Sequence, residues 1–167
     1  MYAIQSINMP YFVDLGGVTY YDINFAMQKG GGFPLKVAAA KGSEAFVSLM
    51  LQNKMIDINK KDKDGVNAFW IAAYFGHGKV MSVLAESGID VMNTDPKGYN
   101  VLHIAARKSN IKGYPAEEII TMLIKSGFPL DDVTNKGETA IAIAAQRGNL
   151  PSLRILVGAK AKINILN

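Results

Sequence analysis

Apolar positions along the chain fall into two patterns that take turns. The first is compact and ends in paired alanines, as in "GVNAFWIAA" from Gly65 and "GYNVLHIAA" from Gly98. Behind each glycine come a small or polar residue, an apolar residue, two further positions and then Ala-Ala. The same order recurs from Gly137, with Ala144 and Ala145, and from Gly31, with Ala38 and Ala39. The second pattern follows each copy and has the spacing of one apolar helix face. It comprises Phe46, Val47 and Met50; Val80, Val83 and Leu84; Ile119, Ile120 and Leu123; and Leu153, Ile155 and Leu156. Gly88 and Gly127 fall where such a helix would end in a left-handed residue. A short hairpin-like stretch comes next, "IDVMNTDPKG" or "PLDDVTNKG". The unit therefore reads as turn, helix, helix, extended stretch.

A unit of this size cannot bury its apolar face alone, so successive units must stack. Paired alanines suit the first helix, where neighbouring helices come close and a longer side chain would overpack the layer. These features together resemble ankyrin repeats. "GYNVLHIAA" keeps most of that family's phrase of Gly, Thr-Pro-Leu-His and Ala-Ala, and "GHGKVMSVLAESGIDV" at 76–91 is similar to its second half. The resemblance implies an all-α ankyrin-repeat solenoid of stacked helix-turn-helix units with hairpin-like turns. Residues 28–167 form the repeat domain, with repeats at about 28–61, 62–94, 95–133 and 134–167. Residues 1–27 stand outside it as an extension or capping segment.

The chain departs from the family phrase in places. The tetrad reads Phe33-Pro34-Leu35-Lys36, Asn67-Ala68-Phe69-Trp70, Asn100-Val101-Leu102-His103 and Thr139-Ala140-Ile141-Ala142. No copy is complete, which puts the family's Thr and His hydrogen bonds in question for three of the four repeats. The third repeat carries extra residues at 111–116, "IKGYPA", read as a tolerated surface insertion or a second contact point at Tyr114. The last repeat is apolar for a unit facing water. A dimer, a self-covering tail or a longer parent protein would each explain that, the last being preferred; the chain itself is expected to be monomeric.

Composition narrows the functional classes. The chain is 49% apolar and 19% charged, ordinary for a soluble globular protein. It lacks cysteine, so disulfides and thiol catalysis are excluded. A reducing, cytoplasmic setting follows, with the nucleus also open. No apolar run reaches the roughly 18 residues a membrane span needs. The two histidines, His77 and His103, lie on different repeats and read as structural hydrogen-bonders, not metal ligands. "GHGKV" at 76–80 fails as a phosphate loop because Ala73 and Val80 stand where Gly and Ser/Thr are required. "KKDKDGVN" at 60–67 fails as a calcium loop because Lys60 takes the first ligand position. No enzyme, metal or other cofactor is expected.

The resemblance implies a concave partner-binding face made by the turn tips and the exposed sides of the first helices. Transferring the family's variable positions residue by residue selects Lys29, Gly30, Gly32, Ala40 and Lys41 in repeat one. Repeats two and three contribute Lys63, Asp64, Val66, Tyr74 and Phe75, then Pro96, Lys97, Tyr99, Arg107 and Lys108. Repeat four contributes Asn135, Lys136, Glu138, Gln146 and Arg147. Of the chain's 18 basic and 14 acidic residues, this set holds eight and two, so positive charge concentrates on that face. The expected partner-binding residues are Lys63, Val66, Tyr74, Phe75, Lys97, Tyr99, Arg107, Lys108, Lys136 and Arg147. They point to a non-catalytic module that binds an acidic, apolar-anchored segment of a partner protein. Two alternatives stay open: a regulatory or scaffold segment docking within a larger protein, and a basic groove for nucleic acid.

Overall fold

A computed structural model describes residues 33–52 and 56–163. Lys29, Gly30, Gly32 and the proposed capping segment 1–27 lie outside the described residues. Eight helices pair off along the described chain. They are α1 (Pro34–Lys41), α2 (Glu44–Leu51), α3 (Ala68–Phe75), α4 (Gly78–Glu86), α5 (Val101–Lys108), α6 (Ala116–Lys125), α7 (Ala140–Gln146) and α8 (Leu150–Gly158). Among the described residues there is no strand, only an isolated antiparallel bridge between Val133 and Thr139. α1, α3, α5 and α7 pack in one row, and α2, α4, α6 and α8 in a second row behind it. Each helix is shorter than the 12–15 residues at which an isolated helix becomes even marginal. Stacking therefore holds them helical.

The alanine pairs sit where the first-row helices meet. Ala38, Ala39, Ala72, Ala73, Ala105 and Ala106 are fully buried, and Leu35, Leu102 and Ile141 fill the same layers. In α7 the pattern breaks: Ala144 is fully buried and Ala145 is exposed, with no described helix beyond it.

Local polar groups set the helix starts. The Asn67 side chain accepts the Trp70 N–H, and Thr139 accepts that of Ala142. Asn100 accepts from Leu102 and His103, while His103 Nδ1 accepts the Asn100 N–H at 3.2 Å, a reciprocal capping box. Asparagine thus does the work of the family's threonine in two units, and only Phe33 fails to cap by a side chain; there Pro34 opens α1 instead.

The fourth tetrad position makes a long-range tie toward the next tip in three different chemistries. Lys36 Nζ meets Asp62 at 2.5 Å, Trp70 Nε1 donates to the Tyr99 carbonyl at 2.8 Å, and His103 Nε2 donates to the Asp132 carbonyl at 2.9 Å. The interrupted tetrad therefore keeps a long-range bond wherever the residue has a donor. Ala142 has none.

The insertion also has a structural job. The Tyr114 hydroxyl donates to the Ala73 carbonyl at 2.6 Å, back across to α3. Gly76 makes room for this return: its φ is +84°, and a Cβ there would lie 2.7 Å from Pro115 Cδ. His77 Nε2 is 3.0 Å from the Ala40 carbonyl of the preceding unit.

Candidate functional site

Repeated side-chain clasps shape the turn tips. Asp62 Oδ1 accepts the N–H groups of Asp64 and Val66, and Asp95 Oδ1 those of Lys97 and Tyr99. Thr134 Oγ1 accepts the N–H groups of Lys136 and Glu138. Each clasp leaves one lysine at the tip, Lys63, Lys97 or Lys136, exposed to water. Burial works against the Asp62 carboxylate, but hydrogen bonds from Lys36 and Val66 together with the Lys36 charge hold its pKa below the usual range. Adjacent tips are tied as well, since Asn135 donates its N–H to Lys97 O and its amide to Pro96 O, both at 3.0 Å.

The chemistry gathers at the C-terminal ends of α3, α5 and α7. A groove of about 370 Å3 opens there. Its apolar wall is Tyr74, Ile104 and Ile111; its polar wall is Arg107, Lys108, Asn110 and Arg147. Tyr74 lies 5.5 Å from the Trp70 ring in a stacked arrangement, and Phe75 meets Tyr74 edge-on at 5.2 Å. Both stay open to solvent, at 39% and 50% exposure. Lys108 Nζ sits 3.6 Å from the Tyr74 centroid and 5.2 Å from that of Tyr114, and it donates to the Tyr74 carbonyl. Burial lowers the Lys108 pKa and raises that of Tyr114 well above the ordinary phenol range. Arg107 lies over the Tyr99 ring at 5.2 Å. Tyr99 donates its hydroxyl to Glu138 at 3.2 Å; burial, then Glu138, raises its pKa.

Four of the residues expected from sequence, Tyr74, Arg107, Lys108 and Arg147, thus line one groove, with Phe75 and Tyr99 on its flanks. Lys63, Lys97 and Lys136 stand apart at the tips. Val66 is corrected: only 3% of it is exposed, because the Asp62 clasp on its N–H turns the backbone so that the side chain packs beneath the tip. Its place beside Gly65 made it look like a tip residue. Ile104, Asn110 and Ile111 line the groove and were not among the expected binding residues, and Tyr114 was offered only as a second contact point. The extra length at 111–116 is the one sequence signal at that place, and it does not say which way the loop folds.

The paired helices, the buried alanine layers and the clasped tips define a repeat solenoid. A family model described as "Ankyrin repeats (3 copies)" matches residues 1–95 and 91–167, and the chain belongs to the ankyrin repeat family. That match begins at residue 1 and so takes in the segment outside the four-copy periodicity. Among similar proteins, palmitoyltransferase AKR1 of Lachancea kluyveri is 29% identical over 115 residues, covering 68% of this chain and 15% of its own length. The nuclear factor NF-kappa-B p105 subunit of Gallus gallus is 27% identical over 146 residues, covering 84% of this chain and 14% of its own. The E3 ubiquitin-protein ligase XBAT33 of Arabidopsis thaliana is 28% identical over 129 residues, covering 77% of this chain and 24% of its own. The chain thus spans a quarter or less of each of these relatives. No helix among the described residues is long and apolar enough to cross a membrane.

Proposed function

We propose that this chain is a non-catalytic interaction module that binds an acidic, apolar-anchored segment of a partner protein in the groove between the ends of α3, α5 and α7. One observation carries this reading. Exposed Tyr74 and Phe75 adjoin three cations, Arg107, Lys108 and Arg147, and among the described residues no carboxylate lines the groove. Aromatic anchors ringed by basic groups are the composition of interface centres. Lys97 and Lys136 on the tips extend the positive field and speed encounter with an acidic chain. Ankyrin repeats in general serve protein–protein interaction, which agrees with this reading without naming a partner.

A peptide-display selection tests it, run in parallel on the parent and on a variant carrying Lys97→Glu, Arg107→Glu and Arg147→Glu. Lys108 is left intact because its ammonium packs against Tyr74 and belongs to the fold as much as to the groove. Acidic motifs with an apolar residue, recovered by the parent and lost by the variant, support the reading. Recovery of no motif by the parent overturns it. A second reading, docking within a larger protein, is favoured by the exposed Leu150, Val157 and Ile163 at the α8 end. A basic surface for nucleic acid would instead show a steep salt dependence with DNA or RNA as the ligand.

A further inference from the structure

We infer that the groove framed by the 111–116 insertion is a subsite for a phosphate monoester, carried on the partner segment next to an apolar residue. The inference rests on the proposed function and names what that groove reads.

Arg107, Lys108 and Arg147 line one groove of about 370 Å3, and no acidic side chain lines it among the described residues. One carboxylate brings one negative charge and two oxygens to this place. A phosphate monoester brings close to two charges and three acceptor oxygens. Guanidinium groups present fixed forks of donors suited to that shape. Arg147 makes no side-chain hydrogen bond or ion pair among the described residues, and Arg107 is held by the Tyr99 face, which leaves its N–H groups available. The Asn110 amide adjoins them.

A helix C-terminus would ordinarily repel an anion. Here the nearest carbonyls are already engaged. Lys108 donates to Tyr74 O, Tyr114 to Ala73 O and Asn110 to Arg147 O. The apolar neighbour is provided by Tyr74 and by Ile111, which is 53% exposed. Ile111 and Tyr114 both come from the insertion. Ile111 thus adds to the apolar wall of the groove, and Tyr114 engages a carbonyl at its edge.

Three peptide libraries settle the question, identical except for a fixed centre of phosphoserine-Leu, Asp-Asp-Leu or Ser-Leu in otherwise random sequence. The Asp-Asp library matches the charge of the phosphate without its shape. The expected result is about tenfold tighter binding of the phosphoserine pool than the Asp-Asp pool, as fork recognition requires. That preference should disappear in a variant carrying Arg107→Gln and Arg147→Gln with unchanged helicity, and persist in Arg154→Gln, which removes a charge on α8 outside the groove. Affinity for the phosphoserine pool should also rise between about pH 5 and pH 7 as the second phosphate proton leaves near pH 6. Equal affinity for the phosphoserine and Asp-Asp pools overturns the phosphate subsite and leaves the acidic-segment reading standing. Binding of none of the pools, by a parent that also recovers no motif in display, overturns both.

Discussion

The His103 imidazole is committed at both nitrogens, accepting from Asn100 N–H and donating to the Asp132 carbonyl. Burial lowers its pKa, so the folded protein holds it neutral. The unfolded chain takes up a proton near the ordinary histidine value of about 6.5. Stability from this group is therefore full above that value and is lost as pH falls through it. Thermal melts should show a lower Tm at about pH 5.5 than at pH 7.5. In His103→Gln the two Tm values should draw together; an unchanged gap would assign the acid sensitivity elsewhere. The buried alanines allow an equally local test. Ala73→Leu should cost about 1–3 kcal/mol by overpacking, read from the urea midpoint, whereas Ala145→Leu, at an exposed site, should change stability little. Residue identity made the alanines readable from sequence, since little else in a helix calls for two adjacent small side chains. Val66 was misread because its backbone is clasped by Asp62, whose carboxylate accepts the Val66 N–H and whose own N–H donates to the Val66 carbonyl, and this decides which way the side chain faces.

Elements show the same limit at greater range. The helix pairs were legible because each carries its own periodicity and stop signals. The insertion was visible as extra length, but its role depends on a contact between Tyr114 and Ala73, which lie 41 residues apart. No local pattern encodes that meeting. Tyr114→Phe should lower stability by about 1 kcal/mol, because the Ala73 carbonyl keeps the Gly76 N–H but loses the hydroxyl that ties the loop to α3. Gly76→Ala should cost at least as much, since it combines a positive φ with a clash against Pro115. Urea denaturation of both variants checks this. Wild-type stability in both would show that the loop does not brace α3.

Among the described residues the main helix contacts lie within a unit or with an adjacent one, so at the scale of the whole molecule stability is distributed along the stack. In this 167-residue chain the amides of α7 and α8 should exchange with solvent faster than those of α3 to α6, which are flanked on both sides. Hydrogen exchange read helix by helix tests that gradient. The positive field should make partner association slow as salt rises, because tip lysines are screened within about 10 Å at 0.1 M ionic strength. An association rate indifferent to a doubling of salt would remove electrostatic steering from the account. The concentration of charge was readable by counting; the gathering of Tyr74, Arg107, Lys108 and Arg147 around one groove required the stack.

The ties at the fourth tetrad position also give the array a direction. Two of them are donated by the earlier unit and accepted by the later one, Lys36 to Asp62 and Trp70 to Tyr99, while His103 to Asp132 ties its helix to the stretch that leads into the next tip. The series of donors stops at Ala142, which offers only a methyl group. Growth of the array by protein engineering is therefore not symmetrical. A unit grafted beyond α8 would lack this tie, resting on apolar contact and tip bonds of the kind Asn135 makes, and would come away first under load. Ala142→His would give that joint the polar latch its predecessors have.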